Sequence, residues 1–219
     1  MLVVTELGDA LIDRMSPPLT LHGFKFVKAR WSWRKREPTV TYAFHLALIR
    51  HATDFDVTAD VAVRLEALAT LLEELLGGAD AAAAVVGKFT VGVELGNLTI
   101  GRQRRWTVAA AGDVDQVAGS LMEAFEHIAL PYYQKYSDPN NALAVLSGDS
   151  RDCWIHAPFD HARAIRAVAL AFLAGRREGF ESLVERKRGV LAASGDRNAQ
   201  RNLPLFDDIV AKLRARWGE

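Results

Sequence analysis

Between Val40 and Leu65 apolar and polar residues alternate almost without a break, and no other feature constrains the fold as strongly. Val40, Tyr42, Phe44, Leu46 and Leu48 form the first apolar set. After a turn near Thr53 the set continues as Phe55, Val57, Ala59, Val61, Val63 and Leu65, interleaved with Asp54, Asp56, Thr58, Asp60 and Arg64. Successive side chains of a strand point to opposite faces, so each run reads as a strand with one buried face. A third alternation precedes them over Phe24 to Arg36. Val27, Ala29, Trp31 and Trp33 are apolar there, against Lys28, Arg30, Ser32, Arg34 and Arg36, and Glu37-Pro38 supplies the turn. Three such strands with short connections predict an antiparallel meander.

Helices flank this core. Leu7, Leu11, Ile12 and Met15 share one helical face over Thr5 to Met15, Pro17-Pro18 interrupts the helix, and His22-Gly23 turns the chain. The strand ending at Leu65 runs into a helix from Glu66 to Leu76, stopped by Gly77-Gly78. Phe89, Val91, Val93 and Leu95 read as another strand, turning at Gly96-Asn97. Leu98, Ile100 and the segment Arg104 to Ala110 complete the sheet. From Gly112 onward the period becomes helical: Val117, Leu121, Phe125, Ile128, Tyr132 and Tyr136, interrupted by Pro131, then helices after YSDPNN, from Asp160, around Phe180 and from Pro204. The fold class is therefore α+β: a four- to five-stranded antiparallel meander sheet packed by helices on one face, with a mainly helical C-terminal half. The division is 1–136 for the sheet domain and 137–219 for the helical region, packed as one domain or two.

Charge narrows the partners. The chain has 27 basic and 27 acidic side chains, with 13 and 12 of them among residues 1–110, so neither half is polarised. This argues against whole-molecule attraction to nucleic acid or a membrane surface. Cys153 is the single cysteine, which matches a reducing compartment. MLVVTELGDALIDRM lacks the basic and apolar regions of a signal peptide. The longest apolar run, Ala81 to Val86, is far short of the roughly 20 residues of a membrane span. The expectation is a cytoplasmic protein. No phosphate-binding loop or metal motif occurs, so no cofactor is implied.

Two stretches hold candidate site residues. KFVKARWSWRKRE interleaves aromatic and basic residues, but strand parity places Trp31 and Trp33 on the buried face, away from Arg30 and Arg34. Bases therefore cannot stack beside those arginines, and pairing of the basic residues with Asp54, Asp56 and Asp60 across strands explains the charges. Turns at Glu37-Pro38 and Thr53 would align Arg30, His45 and Asp60 in one row. RDCWIHAPFDH brings Cys153, His156, Asp160 and His161 into one segment with Asp152. A thiolate and two imidazoles supply three of the four ligands of a zinc site, and His156 is a possible base for a Cys153 nucleophile. The simpler reading is a helix entrance: Pro158 and Asp160 suit the first turn, and Trp154 and Ile155 pack the segment onto the core.

The N-terminal helix followed by LHGFKFVKARWSWRKRE, carried by Gly23, Phe24, Lys25 and Trp33, resembles the start of uncharacterised bacterial α+β families of unknown function. The resemblance covers residues 5–76. Some families of that type are linked to toxin-immunity neighbourhoods, so it implies an immunity or accessory protein and supplies no catalytic residue. The leading expectation is a non-enzymatic protein whose exposed sheet face, with Lys28, Arg30, Arg34, His45, Asp56 and Asp60, binds a protein partner. One alternative is a hydrolase or transferase using Cys153 and His156 with the nearby aspartates. The other is a small-ligand-binding module with an aromatic pocket, for which Tyr132, Tyr133 and Tyr136 are candidates.

Overall fold

The computed structural model describes residues 2–218. Its strands are β1 (Lys25–Val27), β2 (Ser32–Arg36), β3 (Val40–Arg50), β4 (Phe55–Leu65), β5 (Val91–Glu94) and β6 (Trp106–Val108). The first five form an antiparallel meander in the order β1-β2-β3-β4-β5. β6 pairs with the beginning of β4, Phe55 opposite Val108 and Val57 opposite Trp106. The helices are α1 (Leu2–Leu21), α2 (Glu66–Leu76), α3 (Ala79–Val86), α4 (Leu95–Thr99), α5 (Ala111–Ala124), α6 (Leu130–Tyr136), α7 (Pro139–Ser147), α8 (Arg151–Trp154), α9 (Asp160–Leu173), α10 (Phe180–Ala193), α11 (Arg197–Arg201) and α12 (Leu203–Gly218). The chain divides into two compact units. One runs up to Val63 and adds Val93–Lys135; the other joins Arg64–Gly92 to the chain from Tyr136 onward. α2 and α3, which the sequence places with the sheet, thus group with the C-terminal helices.

In the first unit α1 continues to Leu21, past Pro17 and Pro18. The carbonyls that these prolines leave without donors belong to Asp13 and Arg14, both exposed, so water can serve them. The helix closes with a paired cap: Phe24 N–H bonds Leu19 O and Gly23 N–H bonds Thr20 O, with Gly23 at φ 84°. Phe24 and Leu19 are both buried beside it, which completes the Schellman arrangement. The Gly-Phe-Lys lead-in is therefore a helix stop before it is a strand start.

The run from Phe24 to Arg36 is two strands and not one. Lys28–Arg30 form a 3₁₀ turn, Trp31 takes a left-handed φ of 46°, and β1 folds back on β2 with Phe26 opposite Trp33. The indole of Trp31 lies against Gly8 of α1, where a Cβ would stand only 3.0 Å from it. Trp33 is fully buried, and its indole N–H donates to Ser16 Oγ at 3.1 Å. Beyond α5, Phe125–Ala129 form a π-helical turn in which Leu130 N–H reaches back to Phe125 O. Pro131, without an N–H of its own, follows this turn, so the helix read as interrupted there passes through.

In the second unit α9 is the axis. Every residue from His161 to Ala171 is buried, and α2, α3, α7, α10, α11 and α12 all pack against it. Alanines at 162, 164, 167, 169 and 171 let those neighbours approach closely. A helix apolar all round is expected in such a position; α9 instead carries His161, Arg163 and Arg166 into the interior.

Candidate functional site

The open face of the sheet in the first unit is set by register. Ser32 pairs with His45, Arg34 with Ala43 and Arg36 with Thr41, and Lys25 pairs with Arg34 on β1. Directly opposed residues share a face, so Lys25, Arg34, Arg36 and His45 lie together, on the side opposite Trp33. His45 Nδ1 is 3.4 Å from Asp60 Oδ2, and the two side chains remain 43% and 41% exposed. The row of Arg30, His45 and Asp60 is thus correct for its last two members. Arg30 sits in the 3₁₀ turn, and Ser32 takes its place opposite His45. Lys28 is in the same turn and off the strand.

This shift changes the charge pairing. Asp56 accepts from Thr107 Oγ1 at 2.7 Å, lies 3.2 Å from His51 Nε2 and pairs with Arg105 at 3.4 Å. The Thr107 bond, aided by His51 and Arg105 against burial, holds its carboxyl below the usual range. Among the described residues no ion pair joins Asp54, Asp56 or Asp60 to Lys25, Lys28, Arg30 or Arg36. The acidic side of the face is engaged by β6 and by histidines, and among the described residues Lys25, Lys28, Arg30 and Arg36 form no ion pair. Burial and then the cations of Arg30 and Arg36 push Arg34 below the ordinary arginine value. Arg188 and Arg214, bonded to Asp207 and Glu181, are pushed the other way.

The segment RDCWIHAPFDH belongs to the second unit. Cys153 is half-buried in α8, with Ser150 Oγ 3.5 Å from its sulfur. It packs onto Gly148 so closely that a Cβ there would overlap the sulfur. His156 is buried, its Nε2 lies 3.4 Å from Tyr136 Oη, and its carbonyl accepts from Gly92 N–H. Burial and then the charge of Cys153 raise the pKa of Tyr136. His161 and Asp160 serve the helix entrance instead. Asp160 lies in the first turn of α9, accepting from Arg163 at 2.6 Å and from Ser194 at 3.0 Å. Trp154 departs from expectation: it is 49% exposed and does not pack the segment down, while Ile155 is half-buried. Among the described residues no three His, Cys, Asp or Glu side chains are grouped to hold a metal. The three tyrosines also part. Tyr132 and Tyr133 fall in the first unit, where Tyr133 Oη donates to Ala43 O at 2.8 Å, and Tyr136 falls in the second.

His161 gives a pH handle. Its Nδ1 is buried without a partner, and the ring bonds the Val85 backbone. Burial lowers its pKa; the Val85 bond, Asp196 and Asp160 oppose this, and Arg166 adds to it. A folded value below the unfolded one means that the unfolded chain takes up the proton first. Stability from this group is present above about pH 6.5 and is lost as pH falls through the folded value. Urea melts at successively lower pH are expected to show this loss in the native chain, and His161→Gln is expected to flatten it.

The buried cations of α9 and α10 were not among the expected site residues. Arg163 donates to Ala157 O at 2.7 Å, and Lys187 donates to Gly148 O at 3.1 Å and Asp149 at 2.5 Å. Helical period marks these positions as inward, but charge type alone reads as surface. Among the described residues no helix is long and apolar enough to cross a membrane. No protein-family model, curated protein or solved structure matches this chain.

Proposed function

We propose that the chain is a non-enzymatic binding protein that docks an acidic segment of a partner protein on the β1–β2 end of its open sheet face. One observation carries this reading. Lys25, Lys28, Arg30 and Arg36 are exposed around the half-buried Arg34, while the acids of β4 are engaged elsewhere. Like charges held close repel one another, and an acidic ligand relieves that repulsion while gaining speed of encounter from the local field. Nucleic acid suits the patch less well. Trp33 is buried and meets Phe26 at a tilt of 47°, so Trp33 offers no stacking platform beside the cations. An immunity or accessory role is one setting in which such a docking face is used.

The test is fluorescence anisotropy with a labelled glutamate-rich peptide and a labelled single-stranded DNA at matched salt. The peptide is expected to bind, and Lys25→Glu, Arg30→Glu and Arg36→Glu together should weaken it by at least about tenfold without changing the melting curve. Unchanged affinity, or preference for the DNA, would overturn the reading.

A second reading has its own observation. Tyr136 Oη lies 3.4 Å from His156 Nε2, and Cys153 stands three residues before His156 in the same segment. A hydrolase or transferase built there would lose turnover in Cys153→Ala, and an activity that survives this change would remove it.

A further inference from the structure

The geometry points to a site for one small aliphatic monocarboxylate in the second unit, with Arg166 taking the head group. It is independent of the basic hairpin.

Arg166 is only 9% exposed, yet it lines a cleft. Its Nη1 donates to Thr90 O at 3.2 Å. Thr90 is itself fixed, since its hydroxyl accepts from Leu65 N–H at 2.9 Å. A guanidinium has five donors, and among the described residues no carboxylate pairs with this one. That sets Arg166 apart from the other buried arginine of the helix, Arg163, whose Nη2 rests on Asp160 at 2.6 Å. Burial alone lowers the Arg166 pKa to about 10, so it stays protonated at neutral pH. A buried cation without a counter-charge is costly, and a bound anion would remove that cost.

The surroundings are shaped for a close approach. Gly87 lies at φ 74°, and a Cβ on it would stand 3.1 Å from Nη2. The walls are Leu68, Leu72, Ala82, Ala83 and Val86, which suit a hydrocarbon body.

Charge and size define the ligand further. Arg64 also lines the cleft, but it is already matched by Glu66 at 3.0 Å and Glu73 at 2.8 Å. Lys88 is exposed and solvated. One buried positive charge therefore remains, and Glu73 on the wall would repel a dianion. The cleft is narrow: it has about 340 Å³ of free space counting its open mouth, and its inner part has room for little more than a water-sized group. That admits a carboxylate head about the size of a solvent molecule or two and leaves the tail along the mouth. Nucleotides and sugar phosphates are too large and too charged.

The experiment is a thermal-shift and NMR titration of the whole protein with sodium butyrate, against sodium chloride and sodium phosphate at equal ionic strength. Butyrate is expected to raise the melting temperature saturably and to move the Arg166 guanidinium resonance, with chloride and phosphate doing neither. Arg166→Met should weaken butyrate binding by at least about tenfold. Ala83→Leu, a change on the half-buried wall that keeps the arginine, should do the same by filling the cleft. If Arg166→Met fails to fold, Ala83→Leu decides alone. Equal responses to chloride or phosphate would mean an unspecific anion effect and would overturn the assignment. So would a butyrate response that survives Ala83→Leu.

Discussion

Replacing Phe125 with alanine is expected to destabilise the protein by about 3–5 kcal/mol, the usual range for removing a fully buried phenylalanine. The ring is fully buried at the start of the π-helical turn. It meets His22 at 5.2 Å, Phe24 at 5.3 Å and Phe44 at 5.3 Å, nearly perpendicular to the two phenylalanines, and Tyr133 at 6.4 Å. Edge-to-face pairs add to area burial, and these pairs join the end of α1, the sheet and α6. Deletion leaves a cavity that rings held by three different elements cannot collapse to fill. Denaturant unfolding measures the loss. Phe125→Leu, which keeps most of the volume, should cost clearly less; equal costs would mean that ring geometry matters more than the void.

The second large effect concerns Asp149. Lys187 is buried, with 1% of its side chain exposed, and it donates to Asp149, which keeps 27% exposed. Arg163 lies 3.5 Å from the same carboxylate. Burial lowers the Lys187 pKa and Asp149 opposes that shift. Asp149→Ala removes the opposing charge and leaves two buried cations close together. Breaking a buried pair this way costs about 3–5 kcal/mol; partial exposure of Asp149 places it near the lower end. Lys187→Met should be much milder, because it removes the charge that needs a partner and keeps the volume. The double substitution should recover part of the loss from Asp149→Ala. Equal destabilisation by both single changes would show that packing of the lysine stem dominates.

What the sequence shows and hides follows physical lines. The alternation from Val40 to Leu65 survives intact because both strands are long, and one face is buried along the whole of β4 and at Val40, Phe44 and Leu46 of β3. α2 ends where Gly77 predicts, with φ 85° at the cap. The turn at Lys28–Arg30 is silent: it contains no glycine, proline or asparagine, and a tryptophan occupies the left-handed position. One missed turn moved Arg30 off the sheet and put Ser32 opposite His45, which in turn separated the basic and acidic halves of the face. α4 is hidden for a similar reason. Leu98 reads as strand, but the Glu94 side chain accepts from Gly96 N–H, Asn97 N–H and Arg104 N–H and winds the segment into a helical turn. In the sequence Ala81 to Val86 reads only as an apolar run, while α3 covers Ala79–Val86. Its alanines, bracketed by Gly78 and Gly87, were the available helix signal.

For the candidate site, His45 with Asp60 was readable from register, and so was the placing of Asp160 in a first helical turn. Arg166 was not. A buried arginine without a carboxylate has no sequence pattern, since its isolation depends on which chains surround α9.

The central claim is that the β1–β2 end of the sheet face docks an acidic partner segment. Its most direct test is a backbone amide NMR titration with the glutamate-rich peptide. Shifts confined to Lys25–Arg36 and the neighbouring residues of β3, and fading as salt rises, are the expected result. Shifts centred on β4 and β6, or on the helices of the second unit, would contradict it.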